Sequence, residues 1–275
     1  MSTQYAVVYL TDRHITTEAG AALSAWVAAG GTVLSTVGGA LTNETDQPNL
    51  PMLDMLGLTS CKVTVADEDI DYIKQDLKFS SPMGNATVAD SGEQLVVLGH
   101  RAEFVMKTPV PKSDVHASFA DGSPALFRRT HGHGFAFVAA FELGLSYFWP
   151  AIPRRPAARG STDLTLNHFL PTEFAVAARE LVSLPVAHVV GARPVLTSEP
   201  LVDIGVWAAA GKGTALVLIN WSPTPARGMN LTLQFHCDFT AATLAGGGDV
   251  KAGTTADGWN TFLFDLPVAD ALILR

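Results

Sequence analysis

The stretch HITTEAGAALSAWVAAGGTVLSTVGGA, residues 14–40, predicts a helix, a Gly-Gly stop and a buried strand. Thr16 or Thr17 can cap the helix, and Glu18 lies in its first turn, where the helix dipole favours a negative charge. The residues expected on its apolar face are Ala19, Ala22, Leu23, Trp26 and Val27. Because AVVYL at residues 6–10 is another β-rich run, we predict a β-α-β crossover, which implies a parallel sheet.

The first domain is predicted to continue as strands and turns and to close near Pro150. Residues 62–130 contain short β-rich runs, and SFADGSPALFRRTHGHGFAFVAAF, residues 118–141, predicts a hairpin around a Gly-containing tip. Residues 135–152 are the most apolar stretch of the chain. Because this stretch contains Glu142, a buried strand followed by an aromatic turn explains it better than a membrane span.

A linker and a helix are predicted over residues 151–190, followed by a pure β pattern over residues 191–275. The segment MNLTLQF, residues 229–235, alternates strictly between apolar and polar positions. The residues expected on its buried face are Leu231, Leu233 and Phe235. The predicted fold class is therefore α/β plus all-β, with a parallel-sheet domain at residues 1–150 and a small antiparallel β-sandwich at the C-terminus.

The composition limits the classes of partner. The chain has 275 residues, a formal net charge of −8 and a sequence pI near 5.4. Nucleic acids and anionic membranes require clustered Lys and Arg, so we expect neither as a partner. With 48% hydrophobic and 16% charged residues, the chain is more apolar than an average soluble domain, and we expect part of its surface to be covered.

The sequence leaves the compartment open. The N-terminus runs at once into a strand and lacks the charged start and apolar core of a signal peptide, which favours a cytosolic chain or a removed leader. The pattern Asn-x-Ser/Thr points the other way, and it begins at Asn43, Asn85, Asn220 and Asn230. A secreted glycoprotein therefore stays an alternative.

The sequence gives no sign of nucleophilic catalysis. Hydrolases on an α/β sheet usually present the nucleophile on a G-x-S-x-G elbow, and none is present. Ser35 is the nearest approach, but it lies within a predicted strand. Cys61 begins a predicted strand without a neighbouring His or Gly-rich turn, so we expect a buried structural thiol. We assign no catalytic residue and no cofactor.

The segment GGALTNE, residues 38–44, is the best candidate for a ligand site. It follows a strand of the predicted parallel sheet, where open α/β sheets bind ligands, although the G-x-G-x-x-G fingerprint is absent. The carboxylates nearest this edge are Asp12, Glu44, Asp46 and Glu142, and a glycosidase would need two that flank the scissile bond. The candidate ligand-binding residues are Gly38, Gly39, Asn43, Glu44 and Glu142. A hydrogen-bonded structural carboxylate is the alternative for Glu142.

His131 and His133 are the candidates for a metal site. On an extended strand both would face one side and could share a metal, whereas a tight turn would splay them. The sequence indicates no third ligand. The alternative is a Gly-rich hairpin tip with incidental histidines.

The segment YAVVYLTDRHITTEAGAALSAWVAAGGTVLS, residues 5–35, resembles the trimerisation domain of the family forty-two β-galactosidases. That domain is similar in fold to class I glutamine amidotransferases and has lost their catalytic cysteine. MLDMLGL at residues 52–58, the hairpin segment and LVLINWS at residues 216–222 resemble further family elements in the same order. The resemblance implies a truncated Rossmann-like, amidotransferase-like domain followed by a β-sandwich.

Two differences from the family affect the expected function. The catalytic (β/α)₈ barrel is absent from this chain, so no catalytic residue can be carried over. The first strand and helix of the amidotransferase-like domain are also missing, which would leave a sheet edge to be covered by another chain. The resemblance therefore implies a non-catalytic assembly protein, either a homo-oligomer such as a trimer or the partner of a chain that carries a catalytic barrel.

Aromatic residues are the expected contacts, because aromatic anchors dominate interface energetics. The candidates are Trp26, Tyr147, Phe148 and Trp149, for which an ordinary place in the core is the alternative. The alternative function is a carbohydrate-binding or glycoside-hydrolase-related module that uses residues 38–46 and Glu142.

Overall fold

The computed structural model describes residues 5–66, 82–151, 174–190, 194–209 and 213–275. The chain divides into two units, Met1–Gly191 and Ala192–Arg275. The predicted linker at residues 151–170 lies almost wholly outside the described residues. The predicted domain boundaries stay predictions.

The first unit is built around a mixed sheet. Its elements in chain order are β1 (Val7–Leu10), α1 (Thr17–Ala28), β2 (Thr32–Thr36), α2 (Leu50–Met55), β3 (Leu58–Val65), β4 (Pro82–Val88), β5 (Gln94–Leu98), β6 (His100–Met106), β7 (Val115–Phe119), β8 (Pro124–His131), β9 (Gly134–Ala139), α3 (Leu143–Phe148) and α4 (Val176–Val190). The seven-stranded sheet has the order β1-β2-β9-β8-β7-β4-β5, and β3 and β6 form a separate antiparallel pair.

The direction of the strands changes halfway across this sheet. β1, β2 and β9 are parallel to one another. β8, β7, β4 and β5 continue the sheet in antiparallel pairs. The predicted β-α-β crossover and the hairpin before Phe141 are therefore confirmed, while the parallel part of the sheet is limited to three strands.

Helix α1 begins with the cap that its sequence predicts. The Thr16 side-chain oxygen accepts a hydrogen bond from the Ala19 N–H at 3.1 Å. The helix ends at Ala28, and Gly30 follows with φ of +117°. The local signals therefore fix both ends of the helix.

The buried side of α1 differs slightly from the expected one. Its fully buried residues are Gly20, Leu23 and Val27, whereas Ala22 is exposed. Asn49 packs closely against this side, and its Oδ1 would lie 2.7 Å from a Cβ atom on Gly20. The side of the helix that contains Gly20, rather than the side that contains Ala22, therefore faces the interior.

Helices cover both faces of the sheet. α1 and α2 contribute to a core cluster that contains Val33 of β2 and Val138 of β9. α3 and α4 contribute to a second cluster that contains Leu34 and Phe137. Because adjacent residues of β2 and β9 belong to different clusters, these strands are buried on both faces, as is typical of parallel strands between helices. Among the helices within the described ranges, none is long and apolar enough to cross a membrane.

The second unit consists of two antiparallel sheets. Its strands are β10 (Val195–Thr197), β11 (Val202–Ala209), β12 (Gly213–Asn220), β13 (Ala226–Leu233), β14 (Ala242–Leu244), β15 (Lys251–Thr254), β16 (Asn260–Leu266) and β17 (Ala269–Leu274). The orders are β10-β13-β16-β15 and β11-β12-β17-β14. Leu231 and Leu233 are fully buried in the core of this unit and Phe235 packs against it, so the predicted alternation is confirmed.

Candidate functional site

A cavity of about 450 Å³ opens at the carboxyl ends of β1 and β2. The turn after β2 and the side chains of β3 form much of its lining. The residues that line it with polar side chains are Thr11, Arg13, Thr36, Thr42, Asp46, Thr59, Ser60, Cys61, His100 and Glu142. Open α/β sheets bind ligands at this end of their strands, so the cavity is the candidate site.

The turn after β2 is held in an unusual backbone conformation. Val37 is β-branched and has φ of +46°, a region that such residues rarely occupy. The Gly39 N–H donates to the Thr36 carbonyl at 2.7 Å, and a Cβ atom on Gly39 would lie 2.6 Å from the Leu10 carbonyl oxygen. Ser35 lies in the strand, as predicted, and its buried Oγ donates to the Gly39 carbonyl at 2.8 Å. The Ser35 hydroxyl thus holds the turn.

The structure gives the predicted ligand residues Asn43 and Glu44 roles within the loop. The Asn43 Oδ1 accepts hydrogen bonds from the backbone N–H groups of Thr45 and Gln47 at 3.0 and 2.9 Å. The Glu44 Oε2 accepts one from the Thr17 N–H at 2.8 Å, at the start of α1. Hydrogen bonds from the backbone of Glu44 itself and of Thr17 lower the pKa of the Glu44 carboxyl. Neither side chain lines the cavity.

Glu142 lines the cavity, together with Gly38 and Gly39 of the predicted set. It occupies the N-cap position of α3 but makes no capping hydrogen bond. Its Oε1 lies 3.1 Å from the Nδ1 of His100, so the two form an ion pair when His100 is protonated. Glu142 therefore presents a partly exposed carboxylate to the cavity beside a second titratable group.

Sequence reasoning missed two charged or titratable residues of the lining, Arg13 and His100. Arg13 follows the end of β1, and a polar residue just beyond a parallel strand is the signal that could have identified it. His100 begins β6 in the separate two-stranded sheet. No periodicity or motif in the sequence connects His100 with Glu142.

Cys61 lies within β3, which begins at Leu58, and not at the start of a strand as expected. It lines the cavity, and its Sγ would lie 3.3 Å from a Cβ atom on Gly38, so the Gly-rich turn that is distant in sequence is adjacent in space. Burial raises the pKa of the Cys61 thiol to about 11, although the nearby Arg13 charge acts in the opposite direction. The thiol is therefore a poor nucleophile at neutral pH.

We predict that Cys61 reacts slowly with iodoacetamide in the folded protein. With a pKa of about 11, only about one thiol in a thousand is ionised at pH 8, and the thiolate is the reactive form. In a Cys237→Ser variant, the labelling rate should rise about tenfold per pH unit between pH 7 and pH 10. Mass spectrometry of quenched samples measures the rate, and a plateau near pH 9 would contradict the raised pKa.

The β8–β9 turn, which contains His131 and His133, is hydrogen-bonded to helix α1. The His131 Nε2 lies 3.0 Å from the Ser24 Oγ of α1. The backbone N–H of His133 donates to the Ala28 carbonyl at 2.9 Å. Between them, Gly132 has φ of +60°. In the described ranges, no three His, Cys, Asp or Glu side chains are grouped so that they could hold a metal ion.

The candidate contact residues lie in different surroundings. Trp26 is half-buried, and its ring covers Gly31, where a Cβ atom would lie 2.5 Å from it. Tyr147 stacks on Phe174 with ring centroids 4.7 Å apart. Phe148 lies 5.0 Å from Tyr147 and is 40% exposed, whereas Trp149 is half-buried. Of the four, Phe148 is the most available for contact with another chain.

No protein-family model and no curated protein sequence matches the chain. Among solved structures, a catalytic mutant of a GH42 β-galactosidase from G. stearothermophilus is similar at 13% identity and a TM-score of 0.57, covering 100% of this chain and 32% of that chain. The β-galactosidase from Rahnella sp. R3 gives 14% identity, a TM-score of 0.57, and coverages of 95% and 32%.

A further solved structure is α-L-fucosidase isoenzyme 2 from Paenibacillus thiaminolyticus, with 16% identity, a TM-score of 0.54, and coverages of 98% and 41%. Identities this low show a shared fold and no more. The chain spans about a third of the length of the β-galactosidase chains that it matches. Its fold is therefore that of one part of these larger enzymes.

Proposed function

We propose that this chain is a non-catalytic assembly module, in which a truncated amidotransferase-like domain and a β-sandwich correspond to the C-terminal part of a β-galactosidase. The observation that carries the proposal is the match over the full length of this chain to about a third of GH42 β-galactosidase chains. The three parallel strands of the first unit, covered by helices on both faces, support the amidotransferase-like assignment.

The edge strand β1 is the proposed contact surface. β1 ends the seven-stranded sheet, and no strand in the described part of the chain pairs with its outer side. Its sequence, VVYL, contains none of the charged residues or prolines that usually protect a sheet edge. Nearby, Tyr5 is 58% and Tyr9 40% exposed. Within the described residues this edge lacks those protective features, and an apolar edge of this kind favours pairing with another strand.

The proposed occupant of this edge is a second copy of the chain, in a closed oligomer such as a trimer. Homo-oligomers with closed symmetry are the commonest soluble assemblies, and the apolar composition of the chain agrees with a covered surface. A chain that carries a catalytic barrel is the alternative partner. The exposed Phe148 is a further candidate contact.

The substitution Val7→Lys tests the proposal. A charge on β1 should prevent strand pairing at the edge, so the variant should sediment as a monomer at concentrations where the wild type is oligomeric. Val206→Lys places the same charge on β11, an edge strand of the second unit where Val206 is 41% exposed, and should leave the oligomer intact. Circular dichroism of both variants establishes that they are folded. An oligomer unaffected by Val7→Lys would count against the edge as the interface.

A further inference from the structure

The cavity contains a cation with unused hydrogen-bonding capacity. Arg13 lines the cavity, and its Nε donates to the Thr42 Oγ1 at 3.3 Å. Among the described residues, no carboxylate lies within ion-pair distance of this guanidinium and no acceptor contacts its two terminal nitrogens. The nearby carboxylate of Asp46 is instead 3.1 Å from the His14 Nε2. Within the described part of the chain, the terminal nitrogens of Arg13 are therefore available to an anionic group.

A second polar pair in the lining supplies both acceptors and donors. The Glu142 Oε1 lies 3.1 Å from the His100 Nδ1, and both residues line the cavity. A carboxylate accepts hydrogen bonds from hydroxyl groups, and the second ring nitrogen of a histidine can donate or accept one. This part of the lining suits a hydroxylated molecule rather than a simple anion.

The backbone around the cavity is strained in a way that supports a binding role. In the described ranges, the non-glycine residues with positive φ are Val37, Ala40 and Asp46. All three lie in the loop that follows β2, and Val37 and Asp46 line the cavity. Unusual backbone conformations cluster at ligand sites, because a packed scaffold must hold them there.

We propose that the cavity binds a small hydroxylated carboxylate, such as a sugar acid. Arg13 pairs with the ligand carboxylate, since a guanidinium matches the planar geometry of that group. Glu142 and His100 bind the hydroxyl groups, and a volume of about 450 Å³ lies within the range of small-molecule sites. This site is separate from the β1 edge and does not depend on the proposed assembly function.

The test is isothermal titration calorimetry of the full chain with D-glucuronate at low ionic strength, with D-glucose and propionate as comparison ligands. We expect glucuronate to bind at least tenfold more tightly than either, because only glucuronate offers both the carboxylate and the hydroxyl groups. Arg13→Gln should weaken glucuronate binding at least tenfold. Arg227→Gln makes the same change at an exposed arginine of the second unit and should have no effect.

A further variant separates the two parts of the site. Glu142→Gln should weaken glucuronate binding but should not weaken any binding of propionate, because only glucuronate has hydroxyl groups for the carboxylate. No heat of binding with glucuronate would overturn the proposal. Equal affinity for glucose and glucuronate, or equal losses in Arg13→Gln and Arg227→Gln, would overturn the role of Arg13 and with it the assignment to sugar acids.

Discussion

Gly134→Ala should destabilise the first unit by about 3 kcal/mol, at the upper end of the range for overpacking a core, or prevent it from folding. A Cβ atom on Gly134 would lie 2.1 Å from the carbonyl oxygen of Val27 and 2.1 Å from that of Gly31. Both are backbone atoms engaged in hydrogen bonds, from Gly30 N–H at 2.9 Å and from Phe135 N–H at 3.1 Å. A side-chain rotation therefore cannot relieve the clash, and α1 would have to move away from β9.

The matched control is Gly144→Ala in α3, where a Cβ atom would have no neighbour within 4 Å. Alanine is the better helix former, so this variant should be as stable as the wild type or more stable by up to about 1 kcal/mol. Peptide-resolved hydrogen exchange in urea measures the stability of each unit in the intact chain. Similar protection of the first unit in both variants would contradict the close packing of α1 on β9.

Asn220→Asp should destabilise the second unit by about 3–5 kcal/mol at pH 8, the cost of an uncompensated buried charge. Asn220 is 6% exposed. Its Nδ2 donates to the carbonyls of Thr224, Leu266 and Pro267 at 3.0, 3.3 and 3.2 Å. Its Oδ1 accepts from the Ser222 N–H at 2.9 Å. The aspartate would present a negative charge to three carbonyl oxygens. In the folded wild type, the same hydrogen bonds occupy the Asn220 amide that glycosylation of this Asn-x-Ser triplet would require.

The pH dependence of this variant has a definite sign. Burial and the facing carbonyl oxygens should raise the pKa of the new carboxyl above its unfolded value of about 3.9. The folded state then binds more protons than the unfolded state, so stability falls as the pH rises through that window. At pH 5 the loss relative to wild type should be smaller than at pH 8 by about 1–2 kcal/mol. Only below a pH of about 3.9, where the unfolded carboxyl is protonated as well, should it shrink to about 1–3 kcal/mol, the cost of the lost hydrogen bonds.

Asn230→Asp is the control for this prediction. Asn230 is exposed and also begins an Asn-x-Thr triplet. The change should alter stability by less than about 0.5 kcal/mol at either pH, as is usual for surface sites. Urea titrations at pH 5 and pH 8 compare the two variants. An Asn220→Asp loss that is the same at both pH values would contradict burial of the charge.

Local patterns in the sequence predicted those features that depend on residues close together in the chain, such as helix ends and the buried face of a strand. Thr16 and Gly30 mark the ends of α1, and alternation from Leu231 to Phe235 identifies the buried face of β13. The sequence did not predict that β9 would be the second parallel neighbour of β2, because that pairing joins Thr32 to Phe135 across most of the first unit. The sequence also did not predict that the antiparallel strands β8, β7, β4 and β5 would extend this sheet beyond β9.

The sequence predicted only those residues of the candidate site that follow a strand directly in the chain. Gly38, Gly39 and Glu142 lie at the cavity because each comes just after a parallel strand. Glu44 lies in the same loop, but its carboxylate bonds to Thr17, a contact that no sequence pattern signals. His100 reaches the cavity from the separate two-stranded sheet, so its role depends on how the two sheets pack.

The mass of the native chain in dilute solution tests the assembly proposal most directly. Native mass spectrometry of the wild type at low micromolar concentration should give a closed oligomer, and a trimer would have a mass of about 87 kDa, three times the 29.0 kDa of the chain. A single species at 29.0 kDa that persists at higher concentration would contradict the proposal that another copy covers the β1 edge.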